Sequence, residues 1–324
     1  MALVIAGIDE AGYGPMLGPL CVGLSVFRVD GWEPGSPAPD LWARLAPAVG
    51  RTPREARGGV AIADSKELKL PNDTKSRHPL THLERGVLTV ARAMGVRHDD
   101  DAALLDWLGV ELDEHDCYAG PALPLPLAHT PGQIAIAANP VTAACERAGV
   151  RPELLACRAI AETEFNRIVR DEGSKALATF AAVGQHLRLV CERWGGEHAW
   201  VMCDRLGGRV EYGRALERLV PGAAAEVVGE SPERSIYRLR LPSGGVVGVT
   251  FKTEGEKAQM PVALASMIAK LVRELAMIRF NRHWSGRNPE LKPTAGYVTD
   301  ARRWLRDAGD LLSRDDRVRL IRRA

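Results

Sequence analysis

The stretch "GIDEAGYGPMLGPL", residues 7–20, constrains this chain more than any other. It overlaps "LVIAG" from Leu3, a brief apolar run with β-branched Val4 and Ile5 that reads as a buried strand. That strand delivers two adjacent carboxylates, Asp9 and Glu10. The backbone is then punctuated by Gly12, Gly14, Pro15, Gly18 and Pro19. Neighbouring strand residues point to opposite faces, so the two acids share a site only if the strand ends between them. The glycines that follow make that geometry available.

Other short strands end in the same way. "GGVAIADSKEL" reads as a strand stopping at Asp64, and "HAWVMCD" as one stopping on Asp204. "LCVGLSVFRV" (Leu20 to Val29) is a second strand, and "SIYRLRLPSGGVVGVTF" is a hairpin turning at Pro-Ser-Gly-Gly, with Glu254 and Glu256 soon after it. Between them lie helical patterns. "LERGVLTVARAM" and "ALATFAAVGQHLRLVCERW" have amphipathic spacing, "LLACRAIAETEFNRIV" reads as strand then helix, and "MPVALASMIAKLVRELAMIRF" is one long buried helix. "TDARRWLRDAG" and "SRDDRVRLIRRA" add two C-terminal helices. This alternation predicts an α/β fold with a mixed central sheet flanked by helices. Residues from about 97 to 150 are acidic, then proline-rich ("GPALPLPLAHTPG"), and read as an insertion.

Acids at the same end of one sheet repel each other unless a cation neutralises them. Mg²⁺ and Mn²⁺ prefer such all-oxygen ligands, and two ions about 4 Å apart form a clamp for in-line phosphoryl transfer. Each acid also has an ordinary reading. Asp64 fits a turn or helix cap, and Glu256 suits the positive end of the helix that follows. Six cysteines with no CxxC pair read as reduced core residues, and no HExxH pair points to zinc. Charge is unevenly spread: residues 271–324 hold 13 Lys and Arg against 7 Asp and Glu, while 97–116 hold eight acids and one arginine. A basic region can follow a phosphate backbone or merely solvate a helix face. No run nears the roughly 20 apolar residues of a membrane helix, and no secretory leader is readable. The expectation is a cytoplasmic monomer.

The motifs carry a resemblance. "GIDEAGYGPMLGPL" resembles the DEAGRGP signature of ribonuclease HII, and "ADSKEL" its DSKKL element. "WVMCD" is similar to the strand ending on that family's third acid, and "GEKAQMPVALASMIAKLVRE" to its GDAK…ASILAKVxRD helix. "TAGYVTDARRWL" is similar to its KGYGTKEH segment. The five matches occur in the family's order. The resemblance implies a ribonuclease H-like fold, with the catalytic core at 1–70 and 150–270. An insertion would span 71–149, and a C-terminal helical substrate-binding region 271–324. It makes Asp9, Glu10, Asp204 and Glu256 the catalytic acids and ligands of Mg²⁺ or Mn²⁺. Substrate contacts would come from Gly12, Tyr13, Gly14, Ser65, Lys66, Tyr297 and Thr299. The loop backbone would meet the ribose 2′-OH, Tyr297 the sugar, and Lys66 a phosphate.

The implied activity is two-metal hydrolysis of the RNA strand of an RNA–DNA hybrid, or of a duplex with embedded ribonucleotides. Tyr13 stands where the family has arginine, Glu256 where it has aspartate, and Arg302 where it has histidine. Two other readings stay open: a nuclease of the same fold acting on structured DNA, and a non-catalytic nucleic-acid binder.

Overall fold

The computed structural model describes residues 1–112 and 115–323. Asp113 and Glu114, two acids of the 97–116 run, lie outside the described residues. The strands are β1 (Leu3–Ala11), β2 (Leu20–Val29), β3 (Val49–Gly50), β4 (Val60–Ala61), β5 (Val150–Ile160), β6 (Ala199–Asp204), β7 (Ala224–Glu230), β8 (Arg234–Arg240) and β9 (Val246–Lys252). The helices are α1 (Leu41–Leu45), α2 (Ser65–Leu68), α3 (Thr81–Ala93), α4 (Asp101–Trp107), α5 (Pro131–Ala148) and α6 (Glu162–Glu172). They continue with α7 (Lys175–Trp194), α8 (Gly213–Leu219), α9 (Gly255–Ala258), α10 (Met260–Arg287), α11 (Val298–Ala308) and α12 (Arg314–Leu320).

One mixed seven-stranded sheet forms the centre, in the order β5-β2-β1-β6-β9-β8-β7. β1, β6 and β9 are parallel neighbours, and the outer strands pair antiparallel. The α/β class with a mixed sheet is therefore as expected. Strand alternation sorts β1 onto two cores. Leu3 and Ile5 pack with α1, α3, α5 and α10 on one face, while Val4, Ala6 and Ile8 pack with α6, α7 and α8 on the other. A third cluster, centred on Phe280, Trp284 and Trp304, joins the far end of α10 to the C-terminal helices.

The 28-residue α10 runs through the middle of the molecule, and its first half is buried on every side. It lies almost on the sheet. A Cβ at Gly7 would sit 2.1 Å from the Pro261 carbonyl carbon, and one at Gly23 2.1 Å from the Ala265 oxygen. Ser25 Oγ closes the contact by donating to the Pro261 carbonyl at 2.7 Å. Glycine in both strands is thus what lets helix and sheet backbones touch.

Three elements differ from the sequence reading. The strand before Asp64 is only β4, which pairs with β3 outside the main sheet. β7 has an exposed, weakly alternating pattern and was not foreseen as a strand. The proline-rich run ends in α5, an 18-residue helix that tolerates Pro131 in its first turn and Pro140 inside. A capping box of Thr130 and Gln133 starts it, and left-handed Gly149 ends it. Helices α3 and α5 pack into the β1–α10 core on that face of the sheet. Asp101 is fully buried there in a bidentate pair with Arg279 at 2.6 Å.

Candidate active site

The parallel strands place acids at their carboxyl ends, the usual ligand edge of such a sheet. Ile8 stands opposite Cys203, so Asp9 and Asp204 are the next residues of adjacent strands. β9 then leads through left-handed Glu254 (φ 54°) into α9, whose second residue is Glu256. A non-glycine residue in that conformation is strained. It turns the Gly255 N–H onto Asp204 Oδ1 at 3.0 Å. Glu254 itself points away, exposed and paired with Lys257, and is not part of the cluster.

The strand does not end between Asp9 and Glu10. β1 continues to Ala11, with Glu10 opposite Val22 and Ala11 opposite Cys21. The two acids nevertheless interact, because they sit at the sheet's rim and the Glu10 N–H donates to Asp9 Oδ1 at 2.8 Å. All four carboxyls are held above their ordinary range, first by burial. Asp9 is raised well above it, with Glu10 and Asp204 adding repulsion. Glu10 is pushed to about 7 by burial and by Asp204, against the pull of Lys66. Asp204 and Glu256 are raised mainly by burial, each partly offset by backbone N–H donors and Lys66. These acids share one electrostatic field. Among the described residues no three acids, histidines or cysteines are grouped as a finished metal shell.

The donor set still fits a hard cation. Glu10 Oε2 and Glu256 Oε2 are buried without a hydrogen-bond partner among the described residues, and the cluster offers only oxygen. An orphaned buried carboxylate oxygen is costly unless a cation meets it. Ser266 on α10 was not anticipated as part of this site. Its hydroxyl lies within hydrogen-bonding reach of Asp9 and 2.9 Å from Ser65 Oγ.

Asp64 caps α2, accepting from the Lys66 N–H at 3.0 Å, so the ordinary reading of that acid holds. The helix it starts turns Lys66 toward the cluster, where its charge is felt by Asp9, Glu256 and Asp204. Ser65 is buried behind it.

The glycine loop follows β1 directly after the two acids. Gly12 has φ +93°, and a Cβ there would lie 2.8 Å from the Arg273 side chain. Gly14 faces open space, so nothing hinders close approach of a ligand to its backbone. Two buried arginines pin this loop. Arg273 donates to the carbonyls of Pro19, Leu17 and Ala295, and Arg322 to those of Gly12 and Tyr13. Glu162 accepts from the Gly18 N–H and the Tyr118 hydroxyl, both at 2.7 Å. Tyr13 is partly buried beside Glu10, with Lys175 Nζ 5.0 Å from its ring centroid.

The Gly296 carbonyl accepts from the Met16 and Leu17 N–H groups, which sets Tyr297 next to the loop. The Tyr297 ring is 50% exposed, with Lys270 Nζ at 5.9 Å. Thr299 is exposed on the first turn of α11. In the basic region 271–324, Arg302 is exposed and Arg303 is half-buried. Arg303 is bound to Asp300, Asp307 and the carbonyls of Lys292 and Pro293. Much of the basic excess of 271–324 is similarly used inside, by Arg273, Arg279 and Arg322.

No family model matches the chain. No curated protein matches it either. Among solved structures it is similar to ribonuclease HII of Archaeoglobus fulgidus, determined in complex with PCNA. The two are 15% identical with a TM-score of 0.42, over 99% of this chain and 94% of that one. It is similar to ribonuclease H2 of Pyrococcus horikoshii OT3 at 14% identity and TM-score 0.39, over 94% and 86% of the two chains. It is also similar to Bst-RNase HIII in complex with Mn²⁺, at 14% identity and TM-score 0.40, over 99% and 66%.

Proposed function

We propose that the protein is a divalent-metal-dependent ribonuclease that hydrolyses the RNA strand of RNA–DNA hybrids, leaving a 3′-hydroxyl. The observation that carries this reading is the four-acid cluster at the carboxyl edge of three parallel strands, with Asp9 and Glu256 buried, Glu10 and Asp204 half-buried, and two carboxylate oxygens without a partner among the described residues. The order of five motifs in the sequence supports the choice of ribonuclease over other phosphoryl-transfer enzymes.

Asp9, Glu10, Asp204 and Glu256 would hold Mg²⁺ or Mn²⁺. A divalent cation held there would neutralise the cluster and stabilise the negative charge that builds on the phosphoryl and leaving oxygens. The chain's own groups do the rest. Ser266 and the Gly255 N–H orient Asp9 and Asp204. Lys66 brings a positive charge to the acids' rim, where it attracts the scissile phosphate. The loop at Gly12–Gly14 is held by arginines through its carbonyls, which leaves backbone available to a ribose 2′-OH. Tyr297 offers an exposed ring on which a sugar can rest.

The test is a labelled panel of RNA–DNA hybrid, single-ribonucleotide duplex and all-DNA duplex, each with Mg²⁺ or Mn²⁺. Cleavage confined to ribonucleotide-containing substrates is expected. All-DNA cleavage at a similar rate would overturn the ribonuclease reading in favour of a DNA nuclease. Binding with no cleavage of any member would leave a non-catalytic binder.

A further inference from the structure

We infer that the open sheet face beside the acids is a stacking platform for an unpaired stretch of the bound nucleic acid. This rests on the proposed function, since it places the platform next to the site where a phosphodiester is cut.

A groove of about 670 Å³ runs over β6, β9 and β8. Trp32, His198 and Trp200 line it together with Arg234, Arg238 and Lys252, and no acid does. Trp200 is set for the task. A Cβ at position 248 would lie 3.1 Å from its Cδ1, so the indole crosses the neighbouring strand where Gly248 has no side chain. Its Nε1 donates to Thr250 Oγ1 at 2.9 Å. With its polar atom satisfied within the sheet, the ring presents carbon surface to the groove. Trp32 and His198 add a second aromatic pair, with centroids 5.3 Å apart.

The face is continuous with the site. His198, Trp200, Met202 and Asp204 alternate onto one side of β6, so Trp200 precedes Asp204 by about 13 Å at the usual strand rise. The groove reaches Ala258 and Gln259, just beyond Glu256. Arg238 is paired with Glu226 at 3.3 Å, but Arg234 and Lys252 form no ion pair among the described residues. Aromatic rings interleaved with unpaired cations suit bases and phosphates together, and bases inside a duplex have no free face to stack. A single strand running out of the duplex is therefore the occupant.

Fluorescence anisotropy in metal-free buffer tests this without cleavage. The probes are a blunt RNA–DNA hybrid and the same hybrid with a single-stranded tail of about ten nucleotides, within the usual span of such sites. The tail is expected to tighten binding roughly tenfold, in line with one or two stacked bases. Trp200→Ala combined with Arg234→Ala should abolish that gain while leaving blunt-hybrid affinity unchanged. Trp200→Phe, which keeps a ring in place, should retain most of it and guards against misfolding. A wild-type chain indifferent to the tail, or variants that keep the full gain, would overturn the inference. If the tail gain holds while no ribonucleotide substrate is cut, the proposed function fails and the platform stands.

Discussion

Asp204 shows what a single side chain decides here. It faces Asp9 across the parallel ladder and receives the Gly255 N–H, so Asn in its place preserves shape while removing one charge. Asp204→Asn should lower turnover by about three orders of magnitude, the scale of several kcal/mol of lost transition-state stabilisation. Circular dichroism should stay unchanged and hybrid binding should weaken far less. Near wild-type turnover would remove Asp204 from the chemistry. Tyr13 makes a finer distinction. Its backbone is held by Arg322, whereas its ring sits beside Glu10 and Lys175. A requirement for ribonucleotide should therefore survive Tyr13→Arg. A guanidinium at this position adds one charge-assisted hydrogen bond, roughly 1.5–3 kcal/mol, and should shift preference toward a single embedded ribonucleotide. The ratio of kcat/KM on the two substrates measures this, and an unchanged ratio would show that the side chain does not meet substrate.

Among elements, the contact of α10 with the sheet is the least forgiving. Gly7→Ala drives a methyl against the Pro261 backbone and should cost about 3 kcal/mol, the upper range for overpacking, read from the urea midpoint. On the other face, His186 of α7 is buried with Nε2 2.9 Å from the Val22 carbonyl. Burial holds it near 4, below its ordinary 6.5. A depressed base stabilises the fold fully above 6.5 and loses that contribution as pH falls from 6.5 through about 4. His186→Gln should remove roughly 3 kcal/mol of this acid sensitivity. Thermal melts at pH 7 and pH 4 test it, and an undiminished drop in the variant would place the acid lability elsewhere.

The elements also show what could be read beforehand. β1, β2, β6, the β8–β9 hairpin and the long helix were legible because each carries its own periodicity. So was the presence of acids at the strand ends. α5 was hidden by its prolines, although its capping box is a local signal. β7 was hidden because an exposed edge strand lacks an apolar face. Asp64 is ambiguous in sequence because a strand-end acid and a helix cap look alike, and its place at the start of α2 decides for the cap. Ser266 stands in the quoted helix motif, but only packing reveals its reach to Asp9. Arg322 has no local signal, since its partners Gly12 and Tyr13 are some 310 residues away along the chain.

At the scale of the molecule, the chain's two ends are joined at the site. Arg322 stacks 3.9 Å from the Phe165 centroid and binds the glycine loop, so a distant segment shapes the chain that follows Glu10. Arg322→Ala should leave the Gly12 and Tyr13 carbonyls short of a buried donor, lowering stability by about 2 kcal/mol. It should raise KM for hybrid more than it lowers kcat. A variant changed only in stability would make Arg322 purely architectural.

The central claim is that the fold gathers four mutually repelling acids where they can hold divalent metal. Without that cation the raised carboxyls favour their protonated forms, so stability falls as pH rises from the ordinary 4.5 of a glutamate through the 7 of Glu10. A bound cation reverses the loss and displaces protons. The most direct measurement is Tm against Mn²⁺ concentration at pH 5.5 and pH 8. The account predicts a Tm rise equivalent to about 2.7 kcal/mol of added stability at a hundred times Kd, reached at a lower Mn²⁺ concentration at pH 8 than at pH 5.5, and absent in Asp204→Asn. A Tm that ignores Mn²⁺ at both pH values, or rises equally in Asp204→Asn, would contradict it.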